Sequence, residues 1–548
     1  MPGIIVSSSE GSTASRVEAG LIRWALPRPS FSAPPQSASP ELPPMLNCYS
    51  RSVLLAAGLS QILVACGGAP EGPRNVILVT LDTTRPDFFG CYGASGDLTP
   101  RLDALAQGGA RFDMAISASA VTPVSHASIL TGQLPYQHGL RVLAAPGGFR
   151  LPETVPTLAS ILGARGYTTA AIHSAFPVSR IYGFERGFDL FEDLSNVDLE
   201  QKQDGGQGWD VSRGQRRSDQ TSDMAIRFLQ DCDEPFFLWL HYWDPHDMVL
   251  TPDKEFMAGR EPTSPADTMA FWREMYALEI SYVDREFGRV LDALEEGGRD
   301  RDTLIAVISD HGEGLDDGER RHGWRAHRIL YQEQVHVPLI LAVPGGPRGL
   351  VVDSLVRSID VFPTVLDYLD VAPPAGVEGL SLRPLLEGRK DAPRMAYADQ
   401  INGWDANAGM VRHRPQADFL HMAMDDTYKL IYRPSFPDQS ELYNYRRDPG
   451  EILDLFGREE FRATRVALLS DLAARAGWVL APFQADGEPM SERDRAILQK
   501  LGYTGDGEAA SEALWEWLCP ADWTRHGDPG PCPRCGAACL PAAAGRQE

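Results

Sequence analysis

The chain has 548 residues, 43% of them hydrophobic, enough for one large globular core with a smaller appended unit. Its 75 Asp and Glu residues against 51 Lys and Arg leave a formal net charge of −24, which argues against a phosphate-tracking surface and so against nucleic acid as a partner. An anionic substrate would have to be admitted by a local positive site rather than by the field of the whole protein.

Residues 1–44 are rich in Ser, Pro, Ala and Gly and show no sustained apolar period, so a disordered leader is expected. After Met45 come Arg51 and an apolar run from Val53 to Ala65, too short for a membrane span of about 20 residues. The run ends in Leu63-Val64-Ala65-Cys66-Gly67-Gly68, which resembles the lipobox of a lipoprotein signal peptide, cleaved before a lipid-modified cysteine. On that reading residues 45–66 are the signal peptide, with Met45 as an alternative start, and 67–74 are a linker. The mature chain is then exported and anchored by lipid at Cys66 to a bacterial membrane, periplasmic or at the cell surface.

Three stretches carry most of the chemistry: VILVTLDTTRPDFFGCYG at 76–93, VTPVSHASILTG at 121–132 and LIAVISDHGEG at 304–314. In the first and third, apolar residues run straight into Asp82 and into Asp310-His311, as buried parallel strands do when they deliver ligands at their carboxyl ends. Open α/β sheets bind ligands there. In the middle stretch Thr122 stands just ahead of Ser125, His126 and a helix-like run, whose first backbone N–H groups would face an anion. Carboxylates, an imidazole and a hydroxyl together suggest a metal-bound oxyanion site.

Between and after these stretches, strands and helices alternate. PRLDALAQGGARF, ETVPTLASILGARGY, DMAIRFLQDC and ALEISYVDREFGRVLDALEEGG have helical period, while TTAAIH, FFLWLHYW and TLIAVISD read as strands. That alternation predicts a doubly wound α/β sheet over 75–385. From 386 to 504, strand-like FLHMAMDDTYKLIYR, turn-rich RRDPGE and the helical FRATRVALLSDLAARAG predict a small sheet packed by a helix. The tail, 505–548, holds Cys519, Cys532, Cys535 and Cys539. Their C-x12-C-x2-C-x3-C spacing permits a small zinc site, but in an exported chain disulfides are the favoured expectation.

At the three stretches the chain resembles the sulfatase family of the alkaline phosphatase superfamily, whose pattern is an apolar strand into Asp, then C-x-P-S-R-A-x-L-L-T-G, and later S-D-H/N-G. Further matches are WDPH from Trp243 to His246, HGWRAHRILYQEQVHVPLIL from His322, SIDVFPTVLDYL from Ser358, GLSLRPLL from Gly379, and the late YKLIY and ELYNYRRDPGE. The resemblance spans roughly residues 73–504. It implies an alkaline-phosphatase/sulfatase-like mixed sheet with a smaller C-terminal α+β subdomain. It also implies a divalent cation held by Asp82, Asp310, neutral His311 and Thr122. Thr122 becomes a plausible nucleophile. His126 takes the place of the motif's Arg, His246 matches a substrate-contacting His, and His327 falls where the family carries a Lys or His near the leaving group. His322 is a weaker candidate.

Two departures from the family pattern matter. Sulfatases convert the motif's Cys or Ser to formylglycine, and Thr122 cannot give that aldehyde, so it must act unmodified. A sulfo-threonine has no second hydroxyl with which to expel sulfate, whereas a phosphoryl-threonine is released by water attacking phosphorus. The second departure is Asp82-Thr83 and Asp310-His311 in place of Asp-Asp and Asp-Asn. One ligand is lost, and the histidine favours manganese or zinc over calcium. A single metal is expected, although Asp244, His322 and His327 could bring in a second. The leading expectation is a metal-dependent hydrolase of small-molecule or glycan sulfate or phosphate esters, with Thr122 favouring phosphoryl or phosphonate substrates. The alternatives are an envelope phosphoryl-headgroup transferase and a catalytically inactive lipid-anchored binding protein.

Overall fold

The computed structural model describes residues 72–144, 148–194, 214–247, 251–266, 268–316, 325–403, 411, 414–475, 490–500, 515–526, 531–535 and 537–543. The expected leader, signal peptide and lipidated Cys66 lie outside them, as does His322. Among the described residues no helix is long and apolar enough to cross a membrane.

The strands of the larger unit are β1 Asn75–Leu81, β2 Ala110–Ile116, β3 Thr168–His173, β4 Leu190–Glu192, β5 Phe236–Tyr242, β6 Thr303–Ser309, β7 Gly314–Leu315, β8 Arg325–Ala326, β9 His336–Val337, β10 Leu339–Ala342 and β11 Leu350–Arg357. Among the described residues nine of them form one sheet in the order β11-β2-β10-β6-β1-β5-β3-β4, with β9 against β2. The central strands β6, β1, β5 and β3 are parallel, and β10 runs antiparallel between β6 and β2. This is the mixed α/β sheet expected.

Why the apolar runs fold this way is visible in their alternation. Val76, Leu78, Phe237, Trp239, Leu304 and Ala306 enter one buried cluster. Ile77, Val79, Phe236, Leu238, Ile305 and Val307 enter another. Each central strand is thus apolar on both faces because helices cover both. The helix Met269–Glu296 covers the second face, burying Tyr276, Ile280, Val283 and Phe287. Of the expected helices, α1 (Pro100–Gly108) stops early because Ala110 already begins β2. The next, α2 (Thr122–Thr131), is buried along its whole length.

The smaller unit is the antiparallel sheet β12 Ala396–Gln400, β13 Leu420–Met424, β14 Lys429–Tyr432 and β15 Glu441–Tyr443. The helix Arg462–Ala474 packs Leu468, Leu469 and Leu472 on it. The helix Glu492–Lys500, within the stretch assigned from sequence to this unit, sends Ile497 and Leu498 into the larger core. In the tail, β16 Trp515–Leu518 pairs with β17 Arg525–His526 and β18 Leu540–Ala543. The tail is seated on the smaller unit by Leu540 in its core and by Trp523, which donates to Asp438 Oδ1 at 2.8 Å. The disulfides expected there are not formed: all four cysteines are free, and Cys519 Sγ lies 3.5 Å from Cys535 Sγ.

A buried ion pair of the smaller unit is tied to the larger one through Gln332. Lys429 Nζ of β14 lies 2.7 Å from Glu451 Oε1, with no exposed side-chain surface on either residue. Glu451 Oε2 accepts from the backbone N–H of Gln332 at 2.7 Å, and Lys429 donates to Gln332 Oε1 at 3.2 Å. Gln332 opens the short helix Gln332–Val335, whose Gln334 carbonyl receives the N–H of Gly312. Replacing Lys429 by Met leaves a carboxylate buried without its cation, and urea unfolding should show a loss of about 3–5 kcal/mol. A loss below about 1 kcal/mol would mean that the pair does not hold the two units.

Candidate functional site

β1 and β6 are neighbours in parallel register, Leu81 opposite Ser309, so the residues that follow them, Asp82 and Asp310, emerge side by side at the carboxyl edge of the sheet. Thr83 takes the left-handed conformation at φ 49°, and its N–H donates to Asp310 Oδ1 at 3.0 Å. The N–H of His311 donates to the same oxygen at 2.7 Å. On the other side, Asp82 Oδ2 accepts from His241 Nε2 at 3.0 Å. His241 Nδ1 in turn accepts the N–H of Ser174 at 3.3 Å, which assigns the ring proton to Nε2.

Each carboxylate therefore has one oxygen tied down and one left over. Asp82 Oδ1 and Asp310 Oδ2 are buried and have no hydrogen-bond partner among the described residues. His311 completes the set. Its Nδ1 donates to the Gly312 carbonyl at 2.9 Å, so the Nε2 lone pair faces the site, 3.4 Å from Asp310 Oδ2 and 3.4 Å from Thr122 Oγ1. One ligand atom from each of Asp82, Asp310 and His311 falls within a common 4.8 Å, close enough for one ion to bind all three at about 2.0–2.4 Å. Two orphaned carboxylate oxygens and one imidazole lone pair fit a divalent cation of hard to borderline character.

The electrostatics agree. Burial first, then repulsion from Asp310 and Glu313, pushes the Asp82 carboxyl well above the usual range. Burial also raises Asp310 strongly, although the N–H groups of His311 and Thr83 work against it. Burial takes the surrounding imidazoles the other way, His126 and His327 down to about 3, and His241, His246 and His311 well below their ordinary value. Neutral imidazoles are good ligands and poor counter-ions. The charge that would let both carboxylates ionise must come from something bound.

The first residue of α2 is Thr122, 3% exposed. The helix is pinned beneath the site because Ser125 Oγ and Ser117 Oγ both donate to the Asp310 carbonyl. His126 Nδ1 donates to the Thr122 carbonyl at 2.8 Å, and its ring sits against His241 and Trp239. His126 is thus fully buried one turn behind the hydroxyl. Leading outward from His311 is a row of rings: His311 to His327 at 4.7 Å, His327 to His246 at 5.1 Å, and His246 stacked on Trp243 at 3.9 Å. His327 Nδ1 lies 3.6 Å from Glu313 Oε2. The sequence-derived residues Asp82, Thr122, His126, His246, Asp310, His311 and His327 therefore lie in one connected cluster.

Asp244 does not join it. Its two oxygens accept from the N–H and hydroxyl of Ser218 at 3.0 and 2.6 Å, at the start of the helix Ser218–Asp231. As a donor to a second metal it is already engaged. Two residues escaped the sequence reading. His241 hid inside the apolar run FFLWLHYW, where an imidazole reads as a core residue; only its register opposite Thr80, two residues before Asp82, marks it. Glu313 sits three residues past Asp310 in the same loop, and its charge acts on both aspartates.

A family model described as sulfatase matches residues 74–371, and one for the C-terminal part of N-sulphoglucosamine sulphohydrolase matches residues 318–476. An arylsulfatase of Clostridium perfringens is 26% identical over 73% of this chain and 95% of its own length. An N-acetylglucosamine-6-O-sulfatase of Bacteroides thetaiotaomicron is 24% identical over 72% of this chain and 85% of its own. The crystal structure of the phosphonate monoester hydrolase of Agrobacterium radiobacter shares the fold at a TM-score of 0.58, with 22% identity, over 77% of this chain and 98% of that one.

Calorimetric titration of the metal-stripped protein with manganese should give an affinity that rises with pH, because binding displaces protons from carboxyls whose pKa burial has raised. His241→Phe, which frees Asp82 Oδ2, should weaken that affinity about 10–100-fold. An affinity independent of pH and of His241 would remove Asp82 from the metal site.

Proposed function

The chain belongs to the sulfatase family, a family of ester hydrolases that generally depend on a divalent metal, and from that membership we propose a hydrolase in which unmodified Thr122 is the nucleophile and phosphate or phosphonate esters are the preferred substrates. The observation that carries this reading is the position of Thr122 Oγ1, 3.4 Å from His311 Nε2 at the first turn of α2.

A divalent ion held by Asp82, Asp310 and His311 would supply positive charge beside the hydroxyl and beside the nonbridging oxygens of an ester; manganese or zinc suits the mixed oxygen and nitrogen donors, and one ion suffices. The chain supplies the rest. β-Branching limits Thr122 to few rotamers, and the hydrogen bond from His126 to its carbonyl fixes the backbone that carries it. The positive end of the α2 dipole would favour charge developing on nonbridging oxygens beside Thr122, although Pro123 offers no N–H there. His246 and His327, neutral at the mouth of the cluster, can donate an N–H to the departing oxygen.

The hydroxyl oxygen attacks phosphorus as the ester P–O bond breaks, the proton lost by the hydroxyl ends on the departing oxygen, and water then cleaves the phosphoryl-threonine at phosphorus, returning the hydroxyl and releasing the phosphate or phosphonate. The corresponding sulfo-threonine has no adjacent hydroxyl to drive sulfate out, which is why phosphoryl chemistry is favoured despite relatives named as sulfatases. The glycan sulfatases among those relatives favour a sugar ester as the substrate class.

Matched nitrophenyl phosphate, phosphonate, phosphodiester and sulfate esters, assayed with added manganese, decide between these chemistries. Phosphoryl or phosphonate turnover should predominate and fall at least about a thousandfold in Thr122→Ala, with Thr122→Ser retaining part of it. Preferred sulfate turnover, or full activity in Thr122→Ala, would overturn the assignment of the nucleophile.

The lipobox-like Leu63-Val64-Ala65-Cys66 supports a second element of the proposal, that the enzyme is exported and works at a membrane surface, tethered through Cys66. Expressed in a bacterial host, the parent should partition with membranes and incorporate labelled palmitate, and Cys66→Ala should do neither. Membrane association that survives this substitution would refute the anchor.

A further inference from the structure

Outside the catalytic cluster, one other group of metal-ligating side chains is assembled among the described residues, and it lies in the tail, beyond residue 476 where the family models end. Cys519 follows β16, Cys532 and Cys535 lie in the connection between β17 and β18, and Cys539 immediately precedes β18. The chain thus brings all four cysteines to one end of a three-stranded sheet. The sulfurs of Cys519, Cys532 and Cys535 fall within a common 4.8 Å, and Cys539 packs with Cys519 and Cys532 in one buried cluster.

The spacing of these sulfurs separates two chemistries. A disulfide would bring a pair to about 2.05 Å, and two disulfides would draw the four sulfurs into separate couples. A tetrahedral thiolate site with metal–sulfur bonds of about 2.3 Å sets its sulfurs about 3.8 Å apart around one point. The Cys519 to Cys535 separation is 3.5 Å, and a third sulfur shares the same point. The local backbone prepares for thiolate charge: the Arg534 N–H donates to Cys532 Sγ at 3.4 Å. The C-x2-C pair at 532–535 with single cysteines on either side is a spacing that zinc sites use.

We propose that Cys519, Cys532, Cys535 and Cys539 bind one structural zinc ion, separate from the catalytic metal, which holds the tail sheet together. The physical need is plain. β17 has two residues and β16 and β18 four each, too little pairing to stand alone in water without a cross-link. The ion would fix the end of the sheet that meets the smaller unit, since Leu540 follows Cys539 and pairs with Leu518, and the Trp523 backbone N–H donates to the Cys519 carbonyl at 2.9 Å.

The test uses the full chain, purified under reducing conditions, stripped of metal and reloaded with zinc or cobalt(II). Elemental analysis should find one zinc per chain fewer in Cys532→Ser than in the parent, any ion at Asp82, Asp310 and His311 being common to both. The cobalt form of the parent should show sulfur-to-cobalt charge transfer and tetrahedral visible bands, and zinc should shield the four thiols from alkylation. Equal zinc in parent and variant would overturn the proposal, and so would peptide mapping that finds the four cysteines joined in disulfides. If Cys532→Ser fails to fold, the parent decides alone: a cobalt spectrum without thiolate charge transfer rejects the site.

Discussion

Two carboxylates end adjacent central strands, both without contact with water, and each keeps one oxygen that nothing among the described residues satisfies. Everything at the carboxyl edge of the sheet is arranged around that unpaid charge. Leaving a carboxylate buried and alone costs several kcal/mol, so evolution does not keep two of them a few ångströms apart unless a cation is part of the folded state. The neighbouring groups are chosen accordingly. His241 and the N–H groups of Thr83 and His311 hold one oxygen of each carboxylate in place, while the imidazoles stay neutral and leave the positive charge to the ion.

The same constraint explains the support behind the site. Gly312 approaches the Glu333 backbone so closely that a Cβ there would stand 2.1 Å from its carbonyl oxygen. A side chain at 312 would push the loop carrying Asp310 and His311 away from the short helix Gln332–Val335, which the Lys429–Glu451 pair fixes from the smaller unit. The second unit is therefore a brace for the loop carrying Asp310 and His311 as well as a neighbour of it.

Much of this was legible in the sequence, for physical reasons. Asp82, Asp310 and His311 stand where buried apolar runs stop, and a polar residue at that place has few structural roles. Thr122 stands just ahead of Ser125, His126 and a helix-like run, in the order of the family pattern. What was not legible depends on pairing between strands far apart in the chain. His241 and Asp82 are 159 residues apart, and no local pattern announces their contact. Asp244 shows the converse: it stands in a matched motif, yet its oxygens serve the start of another helix. The cysteine spacing left disulfide and zinc open together, and the expectation of disulfides rested on compartment alone, whereas the free thiols follow from where the short strands put them.

The strand that delivers Asp82, the strand that carries His241 and the strand that delivers Asp310 are contributed by segments centred near residues 78, 239 and 306. No hairpin or single βαβ unit contains them all. The site can exist only once the middle of the sheet has closed across those long intervals, a slow kind of pairing in which loop closure precedes any gain. An ion bound by Asp82, Asp310 and His311 would therefore be captured last in folding, and its binding would stabilise completed molecules by mass action. Its uptake at those three residues during refolding would mark sheets that have already closed.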